Sequence, residues 1–373
     1  GAVTVRNVGV AEAVALARAG YRVIDVREPV EWDAGHIADA TLLPLGDVVE
    51  RIGRVAPDHD APLLLQCSAG ARSARAAGWL VDLGYTNVAN LDGSLDGWRE
   101  HGGAWVEPTT SLTDAQRRRY ARQLALPEVG PEGQRRLLDA RVLVVGAGGL
   151  GSPVALYLAA SGVGTIGIVD DDVVDESNLQ RQVVHAAERL GMRKVASAAV
   201  AVRALNPETN VVEHDARLSA ANVADVIAGY DLVVDGTDNL DTRYLLNDAA
   251  VAAGTPVIHG SVYRWDGQVT TLVPFEGPCY RCLHPVRPPD ALVLDCDVAG
   301  VLGVLPGIVG TIQAAEALKL LLGVGEPLIG RMLIYDALGA RFDEIVIPRE
   351  PACETCGSAA APARHAAVAP ASA

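Results

Sequence analysis

The sequence predicts an α/β protein made of two successive units, a small one on a parallel sheet and a larger one after it. Three observations carry this. Short apolar runs alternate with helical stretches over most of the chain, the pattern of strands joined by crossover helices. A glycine-rich turn, Gly146-Ala-Gly148-Gly149-Leu-Gly151, falls between an apolar run and a helical pattern. The polar, proline-containing stretch "VEPTTSLTD" at 106–114 separates the two alternating regions. At 373 residues the chain is long enough for two buried cores.

In the first unit, residues 1–107, the strands are "YRVIDV", "PLLLQC" and "TNVANL". The second of them runs into Cys67. Ser68, Ala69, Gly70 and Ala71 follow, then Arg72 and a helical pattern near Ser73. Small residues let the backbone curl so that its N–H groups face the sulfur. A helix start and the Arg72 cation also favour the thiolate, which is the nucleophilic form. The competing reading is a small buried core cysteine.

The second unit covers 108–357 and begins with a charged helical stretch, "DAQRRRYARQLAL". Strands follow in "RVLVV", "TIGIVD", "DLVVD" and "TPVIHGS". Gly146, Gly148, Gly149 and Gly151 open a helix directly after a strand, and Asp170 ends the next strand. This is the Rossmann-like arrangement for an adenosine phosphate, with the acid on the ribose. Taken alone it suggests a nicotinamide-dependent dehydrogenase. The stretch "DDDVVDESNLQRQ" argues against that reading, because it adds Asn178 and Arg181, and Lys194 follows. Clustered cations suit a triphosphate with a leaving pyrophosphate. Asp238 lies in "DGTDN", at a strand's carboxyl end, where it could hold Mg2+ or simply shape a turn. The apolar region from Val301 to Val324 is interrupted by Pro306, Gln313, Glu316 and Lys319. It reads as a buried helix and not a membrane span. Residues 358–373, mostly Ala and Pro, are expected to be a disordered tail.

Lys and Arg total 31 against 46 Asp and Glu, a net charge of −15. That opposes non-specific nucleic-acid binding, which needs basic surface. With no leader or span recognised, a cytosolic protein with no membrane partner is expected. Six cysteines in such a chain favour metal binding or catalysis over disulfides. Cys279-x-x-Cys282 and Cys353-x-x-Cys356 supply four thiolates, the donor set of a closed structural Zn2+ site. Cys296 is left over. Its neighbours Asp295 and Asp297 would raise its pKa and make it a weak free nucleophile.

The first unit resembles the rhodanese family of sulfurtransferases. "IDVREPVEWDAGHIADATLLPL" and "CSAGARS" carry the likeness, through Asp25, Arg27, His36 and the Cys67–Arg72 loop. Related cysteine phosphatases place five residues between Cys and Arg. Here there are four, which fits a transferable sulfur. From about Leu112 to Gly357 the chain resembles the adenylyltransferases that activate molybdopterin synthase and thiamine sulfur carriers, relatives of ubiquitin-activating enzymes. "RYARQ", "GAGGLGSP", "VDDDVVDESNLQRQ", "DGTDN", "CYRC", "AGVLGVLPGIVGTIQAAEALKLL" and "CETC" occur in the family's order.

The resemblance implies ATP bound by Gly146, Gly148, Gly149, Asp170, Ser177, Asn178, Leu179, Gln180, Arg181, Lys194 and Asn239. Asp238 would be the essential carboxylate linked to Mg2+. Arg122 would reach into the partner subunit's site of a homodimer. Cys296 would link covalently to the carrier or resolve a disulfide. The implied activity is adenylation of the C-terminal glycine of a ubiquitin-like sulfur carrier ending in Gly-Gly. Sulfur transfer from a Cys67 persulfide would follow, giving a thiocarboxylate. The donor would be thiosulfate or a cysteine-desulfurase persulfide. The carrier's pathway stays open among molybdenum cofactor, thiamine, cysteine, tRNA thiolation and natural products. Fused relatives carry the rhodanese domain last, whereas here it comes first. Two rival readings remain: a dehydrogenase fused to a rhodanese domain, and a plain thiosulfate sulfurtransferase whose second unit only binds a partner.

Overall fold

The computed structural model describes residues 4–107, 112–288 and 300–357. The chain divides into two compact units, Gly1–Arg135 and Arg136–Ala373.

The strands of the first unit are β1 (Arg6–Val8), β2 (Arg22–Asp25), β3 (His36–Ile37), β4 (Thr41–Leu42), β5 (Leu63–Gln66), β6 (Val88–Leu91) and β7 (Trp105–Val106). Five form a parallel sheet in the order β1-β6-β5-β2-β4. The central strand β5 is an unbroken leucine run because both of its faces are covered. Leu63 and Leu65 pack with Ala76, Ala77 and Leu80 of the helix Ala71–Asp82. Leu64 packs on the other face with Ala13, Val14 and Trp98. The sequence pattern did not reveal the small antiparallel pair of β3 with β7. Asp25 and Arg27 are both buried and joined, with Arg27 Nη2 donating to Asp25 Oδ2 at 2.7 Å and to Gly35 O at 3.0 Å. They tie the end of β2 to the turn before β3.

"DAQRRRYARQLAL" is not one helix. It forms Asp114–Arg119 and Ala121–Leu124, split at Tyr120, whose ring is buried. Thr113 and Gln116 cap the first piece reciprocally.

The second unit contains β8 (Arg141–Val145), β9 (Thr165–Val169), β10 (Asn210–His214), β11 (Leu232–Asp235), β12 (Val257–Tyr263), β13 (Asp266–Leu272), β14 (Arg331–Asp336) and β15 (Arg341–Val346). They form one sheet in the order β10-β9-β8-β11-β12-β13-β14-β15. Pairing is parallel from β10 to β12 and antiparallel from there to β15. The chain moves outward from β8 through β9 to β10 and then returns to β11 on β8's other side. That reversal opens a crevice at the strands' carboxyl ends.

Helix Val304–Leu322 is long and apolar enough to cross a membrane by length and composition. It lies in the core of the second unit, with Leu305, Val309 and Ala317 fully buried against the sheet. Its buried polar residues bond within the unit, although Gln313 Oε1 has no hydrogen-bond partner among the described residues. Gln313 Nε2 donates to Asp235 O at 2.7 Å and Ile258 O at 3.1 Å. Glu316 Oε2 accepts from Leu328 N at 2.7 Å and Thr271 Oγ1 at 2.9 Å. The expected tail at 358–373 and Cys296 lie outside the described residues.

Candidate functional site

Two reactive centres emerge, one in each unit. In the first, β5 delivers Cys67 to the mouth of the helix Ala71–Asp82. Gly70 caps that helix at φ +83°, a left-handed conformation that suits glycine. The turn brings donors onto the sulfur: Gly70 N at 3.1 Å, Ser73 N at 3.4 Å and Ser73 Oγ at 3.3 Å. Burial pushes the Cys67 thiol up. Hydrogen bonds from the Ser73 hydroxyl and amide, and from the Ala69 and Arg72 amides, outweigh it. The net result lies below the ordinary thiol range. The loop therefore makes a thiolate largely with neutral donors.

Arg72 also has a partner that the sequence did not show. Its guanidinium forms a two-pronged pair with Glu31, Nη1 to Oε2 and Nη2 to Oε1, both at 2.7 Å. Ser68 Oγ donates to the same carboxylate at 2.8 Å. Sequence reasoning missed Glu31. The one signal was its position two residues after Pro29, in a capping-box pattern with Glu28. His36 stacks on Trp32 at 3.6 Å, and its Nδ1 lies 3.1 Å from Trp32 O, so it braces β3.

In the second unit, a cavity of about 320 Å³ occupies the crevice beyond β8, β9 and β11. Gly146, Gly148, Gly149, Asp170, Arg181, Lys194, Asp238 and Asn239 all line it. Gly146 adopts φ +92°, and a side chain on Gly151 would meet Gly146 O at 1.8 Å, so the turn is closed to larger residues. Asp170 accepts from Ala147 N at 2.8 Å and Asp172 N at 2.9 Å. Its burial raises the carboxyl above the usual range, against those amides and Lys194. Lys194 Nζ lies 2.9 Å from Asp172 Oδ2. Asp238 is exposed at the end of β11, and Asn239 caps the helix Leu240–Ala253 through Thr242 N at 2.9 Å.

Behind Asp238, buried Asp235 fixes the turn. Its Oδ1 accepts from Thr237 N at 3.0 Å and Thr237 Oγ1 at 2.7 Å. His259 Nδ1 lies 2.7 Å from its Oδ2. His185 Nε2 lies 2.9 Å from Ala147 O, and its Nδ1 lies 2.8 Å from Ser197 Oγ. Burial pushes that imidazole down to about 4, so a neutral ring steadies the glycine turn.

Ser177, Asn178, Leu179 and Gln180 are not among the cavity's lining residues. Asn178 and Ser177 instead close a short turn on Asp175, with Asn178 Oδ1 accepting from Asp175 N at 3.2 Å. The cavity adds Gln182, Arg217, Thr237 and Arg243. Arg243 carried a readable signal. A cation at the start of a helix opposes the helix dipole, and such positions call for another reason. Arg217 carried none. Arg122 lies on the helix Ala121–Leu124 of the first unit.

Cys279, Cys282, Cys353 and Cys356 converge, all four sulfurs lying within 4.8 Å of one another. Sulfur separations are 3.9 Å (279–282), 3.7 Å (279–353) and 3.4 Å (282–356). A ZnS4 tetrahedron with bonds of about 2.3 Å has edges of roughly 3.8 Å, so the set is compatible with zinc.

Fold and site together define a nucleotide-handling α/β enzyme unit joined to one that presents a reactive thiol. Comparison with known proteins identifies both. The ThiF family matches residues 120–355, and a rhodanese-like domain matches residues 10–101. The chain belongs to the ThiF family. It is 55% identical over 249 residues to the SAMP-activating enzyme E1 of Haloferax volcanii, covering 67% of this chain and 92% of that protein. It is 52% identical over 244 residues to the sulfur carrier protein adenylyltransferase of Thermus thermophilus, covering 64% and 90%. With the probable adenylyltransferase/sulfurtransferase MoeZ of Mycobacterium tuberculosis it shares 50% over 250 residues, 66% of this chain and 64% of the relative. The fold also matches E. coli MccB, solved with ATP, at a TM-score of 0.58 and 19% identity, covering 75% of this chain and 85% of that one.

Proposed function

We propose that the second unit adenylates the C-terminal glycine of a ubiquitin-like sulfur carrier, and that Cys67 supplies sulfur to the activated carbonyl. One observation carries this: the same chain holds a sulfur cradle around Cys67 and a glycine-turn cavity with Asp238 at its rim. The relatives' names, sulfur carrier adenylyltransferase and adenylyltransferase/sulfurtransferase, support the pairing.

ATP supplies the activation, making the carboxylate an acyl-adenylate as pyrophosphate leaves. The protein's part is electrostatic. The cavity sets Arg181, Lys194, Arg217 and Arg243 against Asp170, Asp171, Asp172 and Asp238. Those cations would hold the phosphates, and Asp238 would be the carboxylate to hold Mg2+. The glycine turn would offer backbone N–H groups to the phosphates, and Asp170 would take the ribose hydroxyls. Gln180 and its neighbours from Ser177 act from beside the cavity, holding the segment that carries Arg181. In the first unit, Cys67 carries the persulfide, and the three donors around its sulfur stabilise the anion. Cys279, Cys282, Cys353 and Cys356 would hold Zn2+, which would tie 353–356 back to 279–282 as a structural metal outside the chemistry. The working form is a homodimer in which Arg122 completes the partner's site, and Cys296 forms the covalent link to the carrier.

The test is ATP–pyrophosphate exchange and thiocarboxylate formation, followed by mass spectrometry of a carrier ending in Gly-Gly. Asp238→Ala is expected to abolish exchange and leave thiosulfate turnover intact. Cys67→Ala is expected to leave exchange intact and abolish thiocarboxylate. Thiosulfate turnover with no carrier-dependent exchange in the wild-type chain would favour the plain sulfurtransferase, and both variants losing both activities while folded would end the two-site reading.

A further inference from the structure

The residue that holds Arg72 has no part in the scheme above. Glu31 meets the guanidinium through two 2.7 Å contacts. Ser68 completes a triangle, donating to Glu31 Oε1 at 2.8 Å and accepting from Arg72 Nη2 at 3.2 Å. Glu28 N donates to Glu31 Oε2 at 3.1 Å, so the acid is fixed from its own helix as well. Burial pushes the Glu31 carboxyl up, but Arg72, Glu28 N and Ser68 hold it at about 2, so the acid is ionised at working pH.

We infer that Glu31 is a specificity-determining positioning residue that clamps Arg72 and so biases the Cys67 loop against dianionic sulfur donors. This rests on the sulfurtransferase reading of Cys67. Arg72 is the one cation in "QCSAGARSA". The donors placed on the sulfur, Gly70 N, Ser73 N and Ser73 Oγ, are all neutral. A further carboxylate borders the loop, since Asp92 Oδ1 would lie 3.5 Å from a side chain on Gly70.

With Arg72 and Glu31 cancelling, the thiolate leaves the loop with net negative charge. Thiosulfate brings two more charges. Its reaction is attack of the Cys67 thiolate on the outer sulfur: a new S–S bond forms, the old one breaks, and sulfite leaves with that electron pair. One plus two negative charges stand on each side of the balance. The clamp holds both Nη atoms of the loop's cation on Glu31, so they are already engaged as charge grows on the sulfite. A bidentate pair is a firm one, because its two parallel hydrogen bonds fix both orientation and distance.

The experiment is steady-state sulfur transfer from thiosulfate to cyanide at fixed ionic strength, with sulfate as a non-transferring dianionic inhibitor. Glu31→Gln keeps the shape and removes the charge. It should lower the thiosulfate KM and the sulfate inhibition constant together by about tenfold, the scale of freeing a charged hydrogen-bond donor. Glu31→Asp keeps the charge and should restore both values towards wild type. Ser68→Ala removes one side of the triangle and should shift both the same way by a smaller factor, so the test survives if Glu31→Gln fails to fold. A folded Glu31→Gln with lower kcat but unchanged KM and sulfate inhibition would overturn the clamp and leave Glu31 a loop brace. Unchanged values in Ser68→Ala with no folded Glu31→Gln would overturn it as well. If wild-type Cys67 gains no persulfide mass from thiosulfate, it is the sulfurtransferase reading that falls, and the clamp with it.

Discussion

At the scale of single residues, the Cys67 thiolate is made chiefly by hydrogen bonds. Ser73 supplies two of the three donors nearest the sulfur. Its hydroxyl also lies 3.0 Å from Gly70 O, so its one proton has two acceptors within reach. Ser73→Ala is expected to move the midpoint of Cys67 alkylation to higher pH and slow it several-fold at neutral pH. Iodoacetamide rates across pH measure this. Glu31 and His185 titrate in separate windows. The His185 ring, depressed in the fold to about 4 from an ordinary 6.5, stabilises the protein fully above 6.5. That contribution is lost as pH falls through about 4, because the unfolded chain takes the proton first. Thermal melts should therefore lose stability between those limits, and His185→Gln should flatten that slope. Glu31, held at about 2 against 4.5, acts by the same sign only below 4.5.

At the scale of elements, the site depends on one close approach. The β8 turn and the helix Gly151–Ala160 meet so tightly that a Cβ on Gly151 would fall 1.8 Å from Gly146 O. Backbone cannot yield as a side-chain tip can. Gly151→Ala should cost about 2 kcal/mol, in the range of overpacked cores. For a unit of this size that is a Tm fall of roughly 4–8 °C. Nucleotide affinity should fall with it, measured by ATP titration. If Gly151→Ala bound ATP like wild type, the turn would not be the phosphate cradle. The helix Val304–Leu322 makes the contrasting point. Its hydropathy alone suits a membrane, but Gln313 and Glu316 are fixed by hydrogen bonds to the sheet and to Leu328 N.

At the scale of the whole chain, the second unit recruits a sequence-distant segment. Cys353 and Cys356 reach Cys279 and Cys282 across 70 intervening residues (283–352), and the four sulfurs gather beside Val251 and Phe275. Metal analysis is expected to find one zinc per chain. Cys353→Ala should remove it and lower Tm by roughly 10 °C, since loss of a structural metal belongs among the large destabilisations. Unchanged zinc content and Tm would count against the site.

The sequence by itself determined what is local. Strand and helix patterns placed the α/β units. Short motifs placed Cys67 in its loop, the glycine turn, and Asp170, Arg181, Lys194 and Asp238 on one cavity, because each is fixed by its own strand end or helix start. Tertiary structure decided what comes from chain segments far apart. Glu31 and Arg72 are separated by 41 positions, so no spacing foretold that the loop's cation would be paired. Arg217 lines the cavity from a loop without pattern, while Ser177 and Asn178 spend their hydrogen bonds on a turn at Asp175, and neither they nor Leu179 and Gln180 line the cavity. The helical stretch also divides at Tyr120, whose ring is buried, a feature that helical propensity alone does not mark. A motif states which atoms are available; only packing and charge pairing across the fold decide where those atoms point.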